Sequence, residues 1–221
     1  MAFNHSYGTA QPAMSTIETN KVLKNTYFLL AMTLAFSAVT AAISMTMALP
    51  RFTGIVCSLI GFGLIFVIQK KANSSSAIGL VFLFTGIMGF GLGPLLNHYA
   101  AMPNGTLLIM QALGSTALIF FGLSAYALTT KKDFSFMGGF LTVGLIVVII
   151  SSIVNIFIGS SIAFMAINAA VVLLMSGLIL YDTSRIVNGG ETNYVMATVS
   201  LYLNIYNLFT SLLALLGLND D

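Results

Sequence analysis

The stretch 194–216, YVMATVSLYLNIYNLFTSLLALL, decides how the rest of the chain is read. It carries no charged side chain, and its length suits one crossing of a hydrocarbon core about 30 Å thick, which takes roughly 20 apolar residues. Its polar residues are ordered. Ser200, Asn204, Asn207 and Ser211 stand at i, i+4, i+7 and i+11, one face of an α-helix, while Tyr202, Tyr206, Phe209 and Leu213 form another. An amide turned to lipid finds no hydrogen-bond partner, so the stripe is expected to face other helices, with Asn155, Asn168 or Gln111 as partners. Two roles fit it. One is packing through interhelical hydrogen bonds of about 0.6–2 kcal/mol each; the other is the wall of a water-lined path.

Composition extends that reading to the whole chain. Of 221 residues, 58% are apolar and 6% charged, against about 25% charged in a soluble domain, and the mean hydropathy is +1.00. So little charge cannot coat a water-soluble globule of this size. Apolar stretches recur at 26–49, 52–68, 77–98, 105–128, 138–158, 161–181 and 194–216, each bounded by Pro, Gly, Asn or paired lysines. They predict an all-α integral membrane protein of seven transmembrane helices. The fifth and sixth are separated only by Gly159-Ser160, and six spans with a re-entrant last segment is the alternative. Residues 1–21 are polar and mixed and read as a flexible tail ahead of a transmembrane domain over 22–221.

Basic residues set the orientation. Lys21, Lys24, Lys70, Lys71, Lys131, Lys132 and Arg185 flank the same ends of the spans, and only Arg51 falls at the other. Lys and Arg stay on the cytoplasmic side, which predicts a cytoplasmic N-terminus and places Asp220 and Asp221 on the far side.

Several function classes are disfavoured. A net charge of +2 with no Lys/Arg run longer than two leaves no footprint for nucleic acid. Cys57 is the sole cysteine, and no His/Cys/carboxylate cluster suggests a metal. No phosphate-binding loop points to a nucleotide cofactor. Ser176 lacks a glycine two positions before it, and the two histidines, His5 and His98, lie in the tail and at a helix end, so no catalytic residue is expected.

Three features within the spans carry the site expectations. Gly89 and Gly93 form a Gly-x-x-x-Gly spacing before Pro94, which predicts close helix packing with a kink, or else a broken helix lining a path. Asp182 is the carboxylate bordering the last two spans, in LILYDTSRIV, and reads as an interfacial acid paired with Arg185 at i+3 or as a protonatable gate. Hairpin counting about Gly189-Gly190 sets Asp182 level with Ala197 or Thr198, roughly 10 Å along the helix from Asn204 at 1.5 Å per residue. Direct contact with Asn204 then needs a bend or an uneven turn.

The segment GLILYDTSRIV (177–187), followed by GGETNYVMATVSLYLNIYNLFTSLLALLG (189–217), resembles the C-terminal block of the Bax inhibitor-1-like family of membrane proteins. KVLKNTYFLLAMTLAFSA (21–38), GLGPLLNHY (91–99) and SAYALTTKKDFSFMGG (124–139) extend the likeness. The resemblance implies a seven-helix bundle with the last helix central. For a bacterial inner-membrane branch it implies a non-enzymatic modulator or inhibitor of the AAA protease FtsH, with HflK and HflC as further partners. Other members look like pH-sensitive calcium leak channels that use an aspartate on each of the last two helices. Those positions fall here at Asp182 and Asn204, with Asn207 and Arg185 as neighbours on the implied ion path. The second carboxylate is therefore replaced by an amide, and a pair that shares a proton by like-charge repulsion is lost.

Overall fold

A computed structural model describes residues 16–218, which form seven α-helices and, among the described residues, no strand. They are α1 (Thr16–Thr46), α2 (Phe52–Lys71), α3 (Ala77–Ala100), α4 (Gly105–Thr130), α5 (Gly138–Ile158), α6 (Ser161–Val187) and α7 (Tyr194–Gly217), with one 3-10 turn at Ser135–Met137. All seven are long and apolar enough to cross a membrane. The protein is a seven-helix membrane bundle.

Two boundaries differ from the sequence reading by more than three residues. α1 starts at Thr16, so Thr16–Lys21, expected in the tail, are helical; Val22, Leu23 and Tyr27 pack on the core and hold this first stretch down. Residues 1–15, and Asp220 and Asp221, lie outside the described residues. α6 continues six residues past the expected end at 181, which brings Asp182 and Arg185 into the helix.

The narrow hairpin between α5 and α6 is made by local chemistry. Gly159 takes a left-handed φ of 67°, its N–H donates to Asn155 O at 2.8 Å, and the Asn155 Oδ1 accepts from Ser160 N–H at 3.2 Å. Ser160 then caps α6 by accepting from Ala163 N–H.

Glycines set how closely helices approach. A Cβ on Gly89 would strike the Ser37 carbonyl and the Thr40 side chain, and one on Gly93 would strike Ser44, so α3 lies backbone to backbone on α1. α3 runs unbroken through Pro94, which corrects the broken-helix expectation. Proline costs one i→i−4 bond, to Phe90 O, and the dense contacts with α1 and α2 keep the helix continuous around that gap.

The connections after α2, α4 and α6 gather at one end. Asn193 donates to Ala72 O (3.2 Å) and Asn73 Oδ1 (2.7 Å), tying the α6–α7 connection to the α2–α3 one. Ser184 Oγ accepts from Phe134 N–H and donates to Lys132 O, at 3.0 and 2.9 Å, docking the α4–α5 connection on α6. At the other end, Arg51 meets His98. α7 packs against α1, α2, α3, α4 and α6, whereas α5 touches only α6 and the 3-10 turn.

Candidate functional site

The side-chain amide of Asn204 donates to Asp182 Oδ2 at 2.8 Å, across the α6–α7 interface. Asn204 is buried and Asp182 half-buried. The level pairing expected from simple hairpin counting, Asp182 with Ala197 or Thr198, is therefore displaced by nearly two helical turns. The turn is uneven. Gly189, at φ 75°, begins it, and the Gly190 and Glu191 N–H groups close the end of α6 on the Arg185 carbonyl at 2.8 and 3.1 Å. The chain then runs on until Asn193 reaches the α2–α3 connection and caps α7, accepting from the Val195 and Met196 N–H groups at 2.9 and 3.1 Å. Anchoring at Asn193 starts α7 beyond the end of α6, so a later residue of α7 comes level with Asp182.

The expected Asp182–Arg185 pair does not form. Arg185 instead reaches outward to Glu191 Oε2 at 3.4 Å and Gly190 O at 3.3 Å, with its guanidinium carbon 5.6 Å from the Tyr181 ring centroid. Glu191 is held for it by the Asn193 N–H, at 2.9 Å from Oε1. Arginine and carboxylate thus separate along α6: Arg185 clamps the connection, and Asp182 faces the bundle.

The remaining polar stripe does not find its expected partners. Asn207 donates to Leu203 O within its own helix at 2.9 Å, Asn168 likewise to Phe164 O, and Asn155 serves the α5–α6 turn. Gln111 is exposed. Serving a carbonyl four residues back satisfies an amide locally, so of Asn168, Asn204 and Asn207 it is Asn204, opposite a stronger acceptor, that bonds across helices.

Two turns of helix bring further polar atoms to the same helix junction. Thr198 Oγ1 donates to Tyr194 O at 2.7 Å and lies 3.3 Å from Thr26 O of α1, and the Tyr27 hydroxyl lies 3.4 Å from Thr183 Oγ1. Farther along, Tyr202 is 1% exposed. Its hydroxyl donates to Thr85 O at 3.3 Å and sits 2.7 Å from Ser37 Oγ. A phenol has one hydrogen, so with that hydrogen on Thr85 O the Ser37 hydroxyl is the donor to Tyr202.

Ser37, Thr85 and Tyr202 were missed by the sequence reading, which put Tyr202 on the less polar face of α7. A tyrosine at the middle of a membrane helix is itself a signal, because its hydroxyl needs a partner when buried. α7 packs against five helices, so partners for its polar atoms lie on more than one face. Beside Tyr202, a lateral crevice of about 440 Å³ opens between α1 and α4, with Tyr202 and Tyr206 in its floor and an otherwise almost wholly apolar lining. Among the described residues no group of three or more His, Cys, Asp or Glu could hold a metal ion.

A family model described as inhibitor of apoptosis-promoting Bax1 matches residues 19–221. The chain belongs to the Bax inhibitor-1-like family. Within it, the chain is 57% identical over 207 residues to an uncharacterized membrane protein of Vibrio cholerae, covering 93% of each. It is 51% identical over 204 residues to the modulator of FtsH protease YccA of Escherichia coli, covering 92% of each. A Pseudomonas aeruginosa protein is 50% identical over 207 residues, covering 92% of this chain and 93% of its own. These Bax inhibitor-1-like relatives match at nearly full length, so the bundle as a whole is what they share.

Proposed function

We propose that the chain is a bacterial inner-membrane modulator of an FtsH-type AAA protease, acting by contact and without enzymatic chemistry of its own. The observation that carries this reading is the 51% identity over 92% of the chain to a relative named for modulating FtsH. The fold is compatible with it: buried side-chain polar groups are engaged mostly in helix-to-helix and i→i−4 bonds, as a scaffold requires. Proteins of the HflK and HflC type are the further partners this reading implies. The lysine-bearing connections and the start of α1 then lie in the cytoplasm, by the bias of basic residues, and residues 1–15 offer the protease a polar segment to engage.

The test is the lifetime of an unassembled membrane protein that the protease degrades. Overproducing the chain should lengthen that lifetime severalfold, and affinity capture of the chain should retain the protease. Unchanged lifetime at full expression, with no protease retained, overturns the reading. Removing residues 1–15 leaves α1 whole and should slow turnover of the chain itself.

A calcium leak gated at Asp182 is the subordinate reading. The contact that favours it is the Asp182–Asn204 bond at the interface of the last two helices. Calcium takes six to eight oxygen ligands, and one carboxylate with one amide oxygen supplies few of them. Calcium flux into proteoliposomes that responds to Asp182→Asn would support it; no flux between about pH 5 and 8 would remove it.

A further inference from the structure

At the end of the bundle away from the lysine-bearing connections, Arg51 starts α2 and places Nη2 2.9 Å from His98 Nδ1, at the end of α3. Guanidinium nitrogen only donates, so Nδ1 is the acceptor in this contact. Arg51 brings a positive charge to this end of the bundle. Among the described residues no carboxylate lies within 4.0 Å of Arg51; the ion pair they contain, Arg185–Glu191, is at the opposite end of the bundle. The guanidinium has donors left beyond the one spent on His98.

Immediately below this cation a groove of about 490 Å³ descends into the membrane-spanning part of the bundle. Arg51 and His98 stand at its mouth, Ile55, Leu59 and Leu95 form its sides, and Tyr206 of α7 lies at its far end. Its floor is shallow at Gly54, where α2 comes close to the α3 backbone: a Cβ there would lie 3.0 Å from Gly91 O. From Arg51 to Leu59 the groove follows α2 for about 12 Å at 1.5 Å per residue, close to the half-thickness of a hydrocarbon core of about 30 Å.

We infer that this groove seats an anionic phospholipid of the leaflet at that end, its phosphate on Arg51 and one acyl chain along Ile55, Leu59 and Leu95. Charge complementarity selects the occupant. A planar guanidinium fork fits two phosphate oxygens, an anion at the mouth compensates a cation with no carboxylate partner among the described residues, and the wall below is mostly apolar. A free phosphate would use the mouth and leave the groove empty, whereas a neutral lipid would fill the groove and leave the cation uncompensated. The inference rests on the membrane embedding of the bundle and is independent of the protease reading.

Native mass spectrometry of the full chain in detergent, titrated with phosphatidylglycerol, phosphatidylcholine or inorganic phosphate, tests this. Phosphatidylglycerol should bind more tightly than phosphatidylcholine, and Arg51→Gln should weaken it about tenfold, the size expected for one charge-assisted contact. Leu95→Trp, which fills the groove, should weaken both lipids; should that variant not fold, Ser58→Leu narrows the same groove from its exposed side. Equal phosphatidylglycerol binding by wild type, Arg51→Gln and a folded groove variant overturns the proposal. Competition by millimolar phosphate, with no effect of the groove variants, also overturns it and leaves an anion site. Asp220 and Asp221 lie outside the described residues, so a chain ending at residue 218 is the control. If lipid binds only to that shortened chain, the C-terminal acids hold Arg51 and the proposal fails.

Discussion

Asn204 donates its side-chain amide to Asp182 at 2.8 Å, and this one bond joins the last two helices at a depth that a symmetric hairpin would not allow. A hydrogen bond to a charged group contributes about 1.5–3 kcal/mol. Asn204→Leu removes the donor and leaves the carboxylate half-buried without it, so thermal unfolding in detergent should show a loss of about 2 kcal/mol, in line with that range. Asp182→Asn keeps an acceptor of the same shape and should cost clearly less. Equal losses for the two variants would argue that the amide serves packing and not the carboxylate.

Tyr202→Phe tests the interhelical hydroxyl pair. The ring stays packed edge-on to Phe84, with centroids 5.5 Å apart, while the bonds to Ser37 and Thr85 vanish. Stability should fall by about 1 kcal/mol, and Tyr202→Ala should fall by about 3–5 kcal/mol, because a large buried side chain also leaves a cavity. Comparable losses for both would mean that the hydroxyl, and not the ring, dominates.

Asn193 fixes the register of α7, so replacing it should act on more than a cap. Asn193→Ala loses the bonds to the Val195 and Met196 N–H groups and the tie to Asn73. Loss of an N-cap alone costs about 0.5–2 kcal/mol. Hydrogen exchange should rise through the 188–194 connection and into the first turns of α7, whereas exchange confined to the cap itself would speak against a register role.

Glycine substitutions should divide by location. Gly89→Val drives a side chain into the Ser37 backbone of α1, and Gly93→Val does the same at Ser44, whereas Gly114 has open space where a Cβ would sit. Expression and gel-filtration profiles should show folded protein for Gly114→Ala and little for the two α3 variants. Well-folded Gly89→Val would require α1 and α3 to move apart, against their close contact.

A reporter fused after residue 221 checks orientation. If the basic connections are cytoplasmic, seven crossings carry the C-terminus across the membrane, so a periplasmic enzyme reporter should be active there and a cytoplasmic fluorescent one dark. The opposite pattern would mean that the seven-to-one bias of basic residues does not govern insertion of this chain.

The spans were legible because hydrocarbon imposes length and apolarity on every crossing, and their bounds from Phe52 to Ile158 fall at or near the predicted ones. α1 and the end of α6 were the exceptions; at α1, Glu18, Lys21 and Lys24 mask a helix that is held by Val22 and Leu23 packing on the core. The site was half legible. Asp182 and Asn204 stood out as polar groups in an apolar setting, but their contact was hidden because it depends on a connection anchored elsewhere. Tyr202 was hidden for another reason: its ring makes it look apolar until a partner for its hydroxyl is found.

By itself the sequence determined that the chain is a helical membrane protein of seven spans or six, which ends of the spans carry lysine, and which residues within the spans are polar enough to need a partner. Those follow from the cost of placing charge and unpaired polar groups in hydrocarbon, a property of each segment alone. Only the tertiary structure decided which partner each polar group takes. Asp182 turns from Arg185 to Asn204, and Tyr202 joins Ser37 and Thr85, because Asn193 anchors α7 on a loop 120 residues away and glycines let α3 close on α1. Register between helices is set by contacts distant in the chain, and no local pattern encodes it.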